Sequence, residues 1–564
     1  MGDAGQDRHP SWEVVAKEHA AEQLNNIPAE WRLPRAKLDQ LSGVGTADEG
    51  RLIKLEAAKK SGLLSERELD ITENHTARDL LPKLAAGELS SVEVTVAFCK
   101  RAALAQQLTS CLTEIFFSEA IEKAKEADQY LEKNGKVRGP LHGLPISMKD
   151  SFVVKGRYAS VGYVEYLRQP VPEDESALVK LLQDAGAVLY CKTNVPQTMM
   201  TADSENNIFG RTLNPHRTAL NAGGSTGGEG ALLAFRGSPL GVGTDIAGSI
   251  RIPAVCCGVY GFKPTADRVP FAGQHACPFP RNHLPGITPA AGPMANTLAD
   301  LRLFMEVVFQ RGPWGYDGTA IDVPWRSLPA KAEGEKLVIG IAPEDDEFKL
   351  HPPVNRTIES AAQKLEAAGH TIIHLPSDPT RSIALGGRLA FAFFGLEGAP
   401  TNEAMEAEFG EPLIQSLAVG VHPFSAANPP PLAADWSGAK KVAEWHRLRG
   451  EYRDSWRRAW IEHGLDAVLA PGAISTAVRH DAFGVPVYTA SWNVADYPAC
   501  IIPYGSSSKG LDPTPMKGHA AFDADYIPEL QDGAPCSIQV ITPTFKDEEC
   551  LHAASIIDKV LNGA

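Results

Sequence analysis

The sequence predicts an α/β protein in which helices cover both sides of a central, mixed and twisted β-sheet. The main observation is a unit that recurs along the chain: a helical pattern of apolar residues, a glycine that ends it, and a short buried strand. Three such units occupy residues 176–191, 354–375 and 435–470, with their glycines at Gly186, Gly369 and Gly464. A further strand at 336–342 and an amphipathic helix at 299–309 agree with the same class.

The spread of the distinctive motifs sets the domain organisation. A length of 564 residues suggests three or four domains. The motifs that carry chemistry instead extend from residue 143 into the last third of the chain. We therefore expect a helical arm over 1–75 and a single catalytic domain over 76–564. Its core would lie at about 143–300, with an insertion at about 395–435.

Composition excludes several classes of partner. Lys and Arg total 54 against 69 Asp and Glu, a net charge of −15, which argues against nucleic acid and anionic membranes. The nine cysteines are scattered without CxxC spacing, which favours reduced thiols and gives a metal or catalytic role little support. The polar N-terminus and the lack of an 18-residue apolar run predict no signal peptide and no membrane segment. We expect a cytoplasmic protein.

The most informative stretch runs from Gly223 to Thr265. Two glycine-rich loops are expected in it, 223–228 and 243–249, and each offers one serine. A short helix over 229–235 would join them. Glycines at such points let the backbone approach a ligand closely and direct N–H groups at it, as an oxyanion requires.

Three general motifs compete for this stretch. A phosphate-binding loop would need Lys and Ser/Thr after its last glycine, where Glu229 stands, and G-x-G-x-x-G fails because Ile246 occupies the third glycine position. Residues 223–227 do match G-x-S-x-G, the nucleophile elbow of α/β-hydrolases. That elbow needs a hydrophobic strand just before it, and 214–222 is a polar loop, which argues against the elbow.

A serine nucleophile needs a neighbouring base, and no histidine lies near either serine in the sequence. A lysine upstream is the candidate for that base. Residues 145–148 are expected to form a short strand that ends at Lys149, followed by Asp150. Most lysines lie on the surface. One that ends an apolar strand is better placed to be buried and used in catalysis.

These motifs together resemble the amidase signature family of serine hydrolases. The glycine- and serine-rich stretch 223–265 matches the family's signature, and 143–150 (GLPISMKD) matches its lysine motif. Weaker matches at 192–197, 292–295 and 300–301 extend the similarity to roughly 76–560. Within the family, the segments 65–101 and 139–147 look most like fungal acetamidase-type enzymes. Fatty acid amide hydrolase is a more distant relative.

The resemblance implies the amidase signature fold and a Ser–cis-Ser–Lys triad, with no metal and no cofactor. Ser249 would be the nucleophile, Ser225 the bridging serine on a cis peptide, and Lys149 the base. A lysine acts as a base only when neutral, and burial favours that form. The oxyanion hole would consist of backbone N–H groups, those of Ile246, Ala247, Gly248 and Ser249.

Residues around the triad complete the expected site. Asp245 and Arg251 flank the nucleophile and would support its loop. The family most often has serine at the position of Thr226 and glycine at that of Ala247, so substrate range could differ here. The substrate would contact Met199, Gly223 and Gly224. Packing in the core is the favoured role of the aromatic run 391–394, and lining the acyl pocket is the alternative.

The resulting functional hypothesis is hydrolysis of the C–N bond of a small amide, such as acetamide, through an acyl-serine. A carbamate or an ester is the next choice, because the same acyl chemistry serves all three. An amidotransferase subunit that produces ammonia would need a partner chain. A scaffold without activity is disfavoured by the intact triad, and the sequence leaves a homodimer open.

Overall fold

A computed structural model of the protein describes residues 10–275, 286–328, 334–396, 410–420, 432, 436–518 and 523–563. Most of the expected insertion at 395–435 lies outside these residues.

Strands from the whole length of the chain contribute to one sheet. The strands are β1 Leu112–Ile115, β2 Pro145–Lys149, β3 Val188–Thr193, β4 Glu205–Asn206, β5 Gly210–Arg211, β6 Leu240–Asp245, β7 Tyr260–Lys263, β8 Ala290–Ala295, β9 Val338–Ile341, β10 Thr371–His374, β11 Ala467–Ala470, β12 Ala499–Ser506 and β13 Pro535–Ile541. Within the described residues, eleven of them join in the order β1-β3-β2-β6-β8-β7-β12-β13-β11-β9-β10, while β4 and β5 pair separately. Strands β2, β3 and β6 run parallel, as do β9, β10 and β11, whereas the remaining pairs of the large sheet are antiparallel. The sheet is therefore mixed, as predicted.

The helices are numbered in chain order. They are α1 Trp12–Asn25, α2 Arg35–Leu41, α3 Ala57–Lys60, α4 Glu66–Asn74, α5 Ala77–Ala86, α6 Ser91–Thr109, α7 Phe117–Asn134, α8 Ala177–Asp184, α9 Gly227–Ala234, α10 Arg251–Cys257, α11 Leu298–Gln310, α12 Pro352–Ala367, α13 Ile383–Leu396, α14 Gln415–Gly420, α15 Gly438–His463, α16 Val487–Ala495, α17 Pro528–Gln531 and α18 Asp547–Asn562.

Both faces of the sheet are buried, and strand β12 shows how. Successive side chains of a strand point to opposite faces. Cys500 and Ile502 belong to the apolar core that also contains residues of α11, α12 and α18. Ala499 and Ile501 enter two other cores, formed with α16 and with α10 respectively. Helices therefore cover both sides of the sheet, which confirms the predicted fold class.

The N-terminal arm is helical and packs on the edge of the sheet in this structure. His19 Nε2 lies 2.7 Å from Glu114 Oε1, and the N–H of Ile115 donates to Gln23 Oε1 over 2.8 Å. Both contacts join α1, which contains His19 and Gln23, to the edge strand β1, which contains Glu114 and Ile115. The first helix thus covers a strand edge that would otherwise leave backbone groups exposed.

The predicted helix–glycine–strand units are present with shifted ends. The three helices are α8, α12 and α15, and the strands that follow them are β3, β10 and β11. All three glycines have positive φ, which a residue without a side chain adopts readily. Residue 435, the expected start of α15, lies outside the described residues.

Two expectations for the glycine-rich stretch are wrong in detail. Residues Gly243–Asp245 belong to strand β6 rather than to a loop, because their backbone pairs with Ala290–Gly292 of β8. Helix α9 begins at Gly227, two residues inside the expected first loop. Tertiary pairing and a helix N-terminus overcome the low intrinsic propensity of glycine here.

Candidate active site

The site forms where two parallel strands end side by side. Lys149 is the last residue of β2, and Asp245 is the last residue of β6. These strands are neighbours, with Met148 opposite Val242. Along β2, Ile146 and Met148 enter the apolar core. Because side chains alternate along a strand, Lys149 points to the opposite face.

Lys149 is fully buried beside two hydroxyl groups. Its Nζ donates to Ser225 Oγ over 2.7 Å and to Thr244 Oγ1 over 2.7 Å. Burial lowers the pKa of Lys149 to about 7, against the opposing influence of the Asp245 and Asp150 charges. A substantial fraction of this amine is therefore neutral near pH 7 and able to accept a proton.

Ser225 follows a cis peptide bond, Gly224–Ser225, as the family resemblance implies. The residues before it, 214–222, contain only isolated bridges between Leu213 and Asn221 and between Leu220 and Arg479. No strand leads into Ser225 in this described part of the chain. The nucleophile elbow, which requires one, does not fit.

Ser249 lies on the neighbouring loop and lines a cavity. The N–H of Thr226 donates to the Ser249 carbonyl over 3.2 Å, which holds the two serine loops together. Thr226 is fully buried, and its hydroxyl lies 3.4 Å from the Thr244 carbonyl. No hydrogen bond between the hydroxyls of Ser225 and Ser249 is present among the described residues.

A buried ion pair supports the Ser249 loop. Arg251 donates to both oxygens of Asp245, from Nε over 3.0 Å and from Nη2 over 2.9 Å. Both residues are fully buried. Burial alone would raise the pKa of Asp245, but the Arg251 guanidinium and its hydrogen bonds hold that pKa well below its usual range.

Two amides from distant parts of the chain complete this pair, and the sequence analysis missed both. Asn493 Nδ2 donates to Asp245 Oδ1 over 3.0 Å, and Arg251 Nη1 donates to Gln539 Oε1 over 2.9 Å. They lie in α16 and β13, more than 240 residues from Arg251. No local pattern marks them. Thr244, which contacts Lys149, directly precedes Asp245 in the signature stretch. The local sequence was therefore sufficient to suggest it as a site residue.

One of the four expected oxyanion-hole donors has another partner in this structure. The N–H of Gly248 donates to Asp245 Oδ1 over 2.8 Å, so this donor is already engaged. The N–H groups of Ile246, Ala247 and Ser249 are left as candidates. Gly248 has a φ of +128°, and an added Cβ would come within 2.2 Å of Thr489 Oγ1. Only glycine fits this position.

The cavity beside Ser249 has a volume of about 290 Å³. Of the predicted contacts, Met199 and Gly224 line it, together with Ile246, Ala247 and the aromatic residues Phe391 and Phe394. The aromatic run thus reaches the cavity. Gly223 does not line it, because it packs against Pro253, whose Cα would lie 2.8 Å from an added Cβ.

The wall that contains Met199 is held by a buried glutamate. Thr198 and Met199 both have positive φ, an uncommon conformation for residues with side chains. The preceding residue, Gln197, donates to Glu411 Oε1 over 2.6 Å and accepts from the N–H of Ile414 over 3.1 Å. The segment 410–414 is therefore attached to the wall of the cavity.

Near Lys149 lies a carboxyl without a cationic partner in the described residues. Glu229 accepts hydrogen bonds from the hydroxyls of Ser147 and Thr193 and is fully buried. Burial raises the pKa of Glu229 to about 8, so its neutral form predominates at pH 7. It links β2 and β3 to the helix that follows Ser225.

The described residues contain neither a metal-binding cluster nor a membrane-spanning helix. No cluster of three or more His, Cys, Asp or Glu side chains in that part of the chain has the arrangement of a metal site. None of the helices there combines the length and the apolar character needed to cross a membrane.

Comparisons with known proteins agree in sequence and in fold. The amidase family profile matches residues 93–551. An amidase of Gibberella moniliformis is 40% identical over 551 residues, covering 98% of this chain and 99% of the relative. An acetamidase of Emericella nidulans is 38% identical over 568 residues, covering 98% of each chain. The structure of a fatty acid amide hydrolase superimposes with a TM-score of 0.86 at 29% identity, covering 98% of this chain and 95% of that one.

The family profile spans most of the chain, and the relatives align with this chain nearly from end to end. These similarities agree with the family that the motifs indicated. The chain belongs to the amidase family and is a hydrolase that acts on carbon–nitrogen bonds other than peptide bonds.

Proposed function

We propose that this enzyme hydrolyses a small carboxylic amide, with acetamide as the simplest candidate, through an acyl-serine intermediate on Ser249. The contact between Lys149 Nζ and Ser225 Oγ, 2.7 Å long and fully buried, carries the proposal. The names of the acetamidase relatives support the choice of a small amide.

Acylation begins with a proton relay. Ser249 Oγ attacks the amide carbonyl carbon while its proton passes to Ser225 Oγ, and the proton of Ser225 passes to the neutral Lys149 amine. A hydroxyl both donates and accepts, so Ser225 can serve as the bridge. The pKa of Lys149, lowered by burial to about 7, suits a base that must also release this proton.

The negative charge that develops on the carbonyl oxygen would be held by backbone N–H groups of the loop before Ser249. Those of Ile246, Ala247 and Ser249 are the candidates, since Asp245 engages Gly248. When the C–N bond breaks, the Lys149 ammonium returns its proton through Ser225 to the departing nitrogen. The products of this half-reaction are an amine or ammonia and the acyl-serine.

Deacylation uses the same relay. Water attacks the acyl carbon and loses a proton through Ser225 to Lys149. The ester bond to Ser249 then breaks, and Ser249 Oγ takes that proton back. The carboxylic acid leaves and the enzyme returns to its starting state.

The test is covalent labelling with a serine-reactive fluorophosphonate, located by peptide mass spectrometry. We expect label on Ser249, no label at that position in Ser249→Ala, and much slower labelling of Lys149→Ala. Label on Ser225 in the unmodified enzyme would instead identify Ser225 as the nucleophile. Circular dichroism of each variant checks that it is folded.

A substrate panel then separates the related activities. Acetamide, ethyl carbamate and ethyl acetate share a small acyl group and differ in the leaving group. We expect the highest kcat/KM for acetamide. Faster hydrolysis of the carbamate or the ester would overturn the amide assignment but not the triad, and labelling without hydrolysis of any of the three would favour a different acyl group.

We propose further that 76–564 act as one catalytic domain in the cytoplasm. One sheet contains strands from Leu112 to Ile541, so it cannot be divided between independent units. The eight described cysteines are all unpaired and buried, which suits a reducing compartment. Limited proteolysis, with one protected core fragment expected, and microscopy of the tagged protein test these two points.

A further inference from the structure

The carboxyl group of Glu229 lies across three neighbouring strands of the sheet. Its Oε2 accepts from Thr193 Oγ1 of β3 over 2.9 Å, and its Oε1 contacts Ser147 Oγ of β2. Ser147 stands opposite Gly241 of β6, where an added Cβ would overlap Glu229 Oε1. The absence of a side chain at Gly241 therefore makes room for this carboxyl.

The same carboxyl joins the two elements that carry Lys149 and Ser225. Ser147 lies two residues before Lys149, and side chains two residues apart in a strand share a face. Thr193 stands opposite Lys149 where β2 pairs with β3. Glu229 itself belongs to helix α9, which begins two residues after Ser225. The bridge made by Glu229 therefore runs beside the contact between Lys149 Nζ and Ser225 Oγ.

The hydrogen bonds around Ser147 indicate where the protons are. Heavy-atom positions leave open which partner donates in a contact between a hydroxyl and a carboxyl. Ser238 Oγ lies 2.9 Å from the Leu240 carbonyl, which can only accept, so the Ser238 proton is used there. Ser147 Oγ lies 2.8 Å from Ser238 Oγ and gives its single proton to it.

The contact between Ser147 and Glu229 then needs a proton from Glu229. A carboxylate would accept from both Ser147 and Thr193, whereas the neutral acid donates to Ser147 and accepts from Thr193. Reversing the chain of hydroxyls to serve a carboxylate would leave the contact between Ser238 and the Leu240 carbonyl without a proton. The neutral acid satisfies every contact.

Burial supports the neutral form independently. Glu229, Ser147 and Thr193 are all fully buried. Among the described residues, these two hydroxyls are the hydrogen-bond partners of the carboxyl, with no backbone N–H and no cation beside it. An isolated carboxylate is costly in such a place, and burial raises the pKa of Glu229 to about 8.

The surrounding ionisable groups supply no counter-charge. Cys111, Tyr190 and Cys191 lie close enough to be affected by a charge on Glu229, and burial raises the pKa of all three, so they are neutral at pH 7. The charged side chains on the elements packed around α9 have other partners: Lys149 bonds to Ser225 and Thr244, Lys192 to the Tyr158 carbonyl, Arg101 to Glu73, and Arg251 to Asp245.

We propose that Glu229 is a positioning residue that works as a neutral acid, donating to Ser147 and accepting from Thr193. This bridge fixes strand β2 against helix α9 and so holds Lys149 at the distance from Ser225 that proton transfer requires. The inference rests on the proposed function, because only there do Lys149 and Ser225 exchange a proton.

The neutral state of Glu229 also matters for the base. The charges of Asp245 and Asp150 oppose the effect of burial on the pKa of Lys149. A third negative charge on the same face of the sheet would favour the ammonium form further. An uncharged Glu229 joins the two elements without this effect.

Infrared spectroscopy tests the protonation state without reference to catalysis. The measurement is the difference spectrum between the wild-type enzyme and Glu229→Gln at about pH 6.5, above the pKa of an ordinary glutamate. We expect the variant to lose the C=O stretch of a protonated carboxylic acid, a band that isotopic labelling of glutamate carbons shifts. Glu444→Gln is the matched control, since Glu444 pairs with Arg447 at the surface and should lose carboxylate bands. Loss of carboxylate bands in Glu229→Gln as well would overturn the inference.

Two variants of similar length test the positioning role. Glu229→Gln keeps one donor and one acceptor, while Glu229→Met keeps the length and loses both. We expect Glu229→Gln to retain kcat on acetamide within about threefold, and Glu229→Met to lower kcat about tenfold or more with KM changed less than about threefold. The kcat is expressed per Ser249 labelled by the fluorophosphonate, so unfolded molecules do not count.

The outcomes of this comparison are distinct. Equal kcat in Glu229→Gln and Glu229→Met would refute the positioning role and leave the amidase proposal standing. A loss in Glu229→Gln as large as that in Glu229→Met would show that the charge of Glu229 is required, and would overturn the neutral acid. The pH at which kcat/KM rises should not move in Glu229→Gln, whereas a shift to lower pH would show that Glu229 is ionised in the wild type.

Ser147→Ala cuts the bridge from the strand side and covers the case in which Glu229→Met does not fold. We expect it to lower kcat about tenfold with KM little changed, and an unchanged kcat would contradict the bridge. If the wild-type enzyme is not labelled at Ser249 and hydrolyses no amide, the proposed function is refuted and the positioning role falls with it. The infrared spectrum still decides in that case whether Glu229 is neutral.

Discussion

Lys149 Nζ lies 2.7 Å from Ser225 Oγ at a site from which solvent is excluded. The amine and the hydroxyl come from residues 76 positions apart, one at the end of a strand and one just before a helix. The Asp245–Arg251 pair, also buried, supports the adjoining loop. The Lys149 amine, whose pKa is lowered by burial, therefore contacts a hydroxyl that lies next to the loop of Ser249.

The first test concerns the two serines. Ser249→Ala should lower kcat on acetamide on the order of 10⁴-fold or more, because it removes the proposed nucleophile. Ser225→Ala should cost less, because water could replace the bridging hydroxyl. The measurement is steady-state hydrolysis with folding checked by circular dichroism. A larger loss in Ser225→Ala than in Ser249→Ala would contradict the assigned roles.

The second test is the pH profile. Since the neutral amine is the active form and burial lowers the pKa of Lys149 to about 7, kcat/KM should rise with pH up to about 7 and level off above it. Lys149→Arg keeps the positive charge at all accessible pH values and should be inactive throughout. An acidic limb near pH 4 in the wild type would instead point to a carboxylate as the base.

The third test concerns the buried ion pair. Asp245→Asn leaves the Arg251 guanidinium without its charge partner, and such a loss costs about 3–5 kcal/mol of unfolding free energy. The measurement is urea unfolding of the single variant and of Asp245→Asn/Arg251→Met. We expect the double variant to be more stable than the single one, because it removes the uncompensated buried charge. Additive losses would show that the two residues act independently.

The fourth test concerns the loop before the nucleophile. Gly248→Ala should abolish activity, because its Cβ would come within 2.2 Å of Thr489 Oγ1 at a φ of +128°. Ala247→Gly is the matched control, since it keeps the N–H donor and relaxes the backbone. It should retain activity within about threefold. Normal activity of Gly248→Ala would mean that the loop rearranges easily and does not hold the oxyanion donors in place.

The fifth test concerns the wall that contains Met199. Glu411 accepts from Gln197 Nε2, from Asn207 Nδ2 and from the N–H of Val164, at 2.6, 3.2 and 2.8 Å. Glu411→Ala should raise KM about tenfold with a smaller effect on kcat, because the wall shifts while Lys149, Ser225 and Ser249 are untouched. Glu444→Ala, at an exposed pair with Arg447, is the control. A fall in kcat with unchanged KM would contradict this role.

The local features of the site were predictable because each depends on a short segment of sequence. The apolar strand before Lys149 and the glycines around Ser225 and Ser249 are recognisable within a few residues of each other. Strand β6 was missed at residues 243–245 because glycine has low strand propensity and only pairing with β8 determines its state. The engagement of Gly248 by Asp245 likewise depends on how the loop turns, which local sequence does not specify.

By itself, the sequence determined the fold class, the family and the positions of the serines and lysine proposed to act, because these depend on local propensity and on short motifs. Only the tertiary structure decided what surrounds them. Asn493 and Gln539 join the Asp245–Arg251 pair, and Phe391 and Phe394 line the cavity beside Ser249 together with Met199. Such groups come from strands and loops hundreds of residues apart, and the packing of the sheet brings them together with no trace in the local sequence.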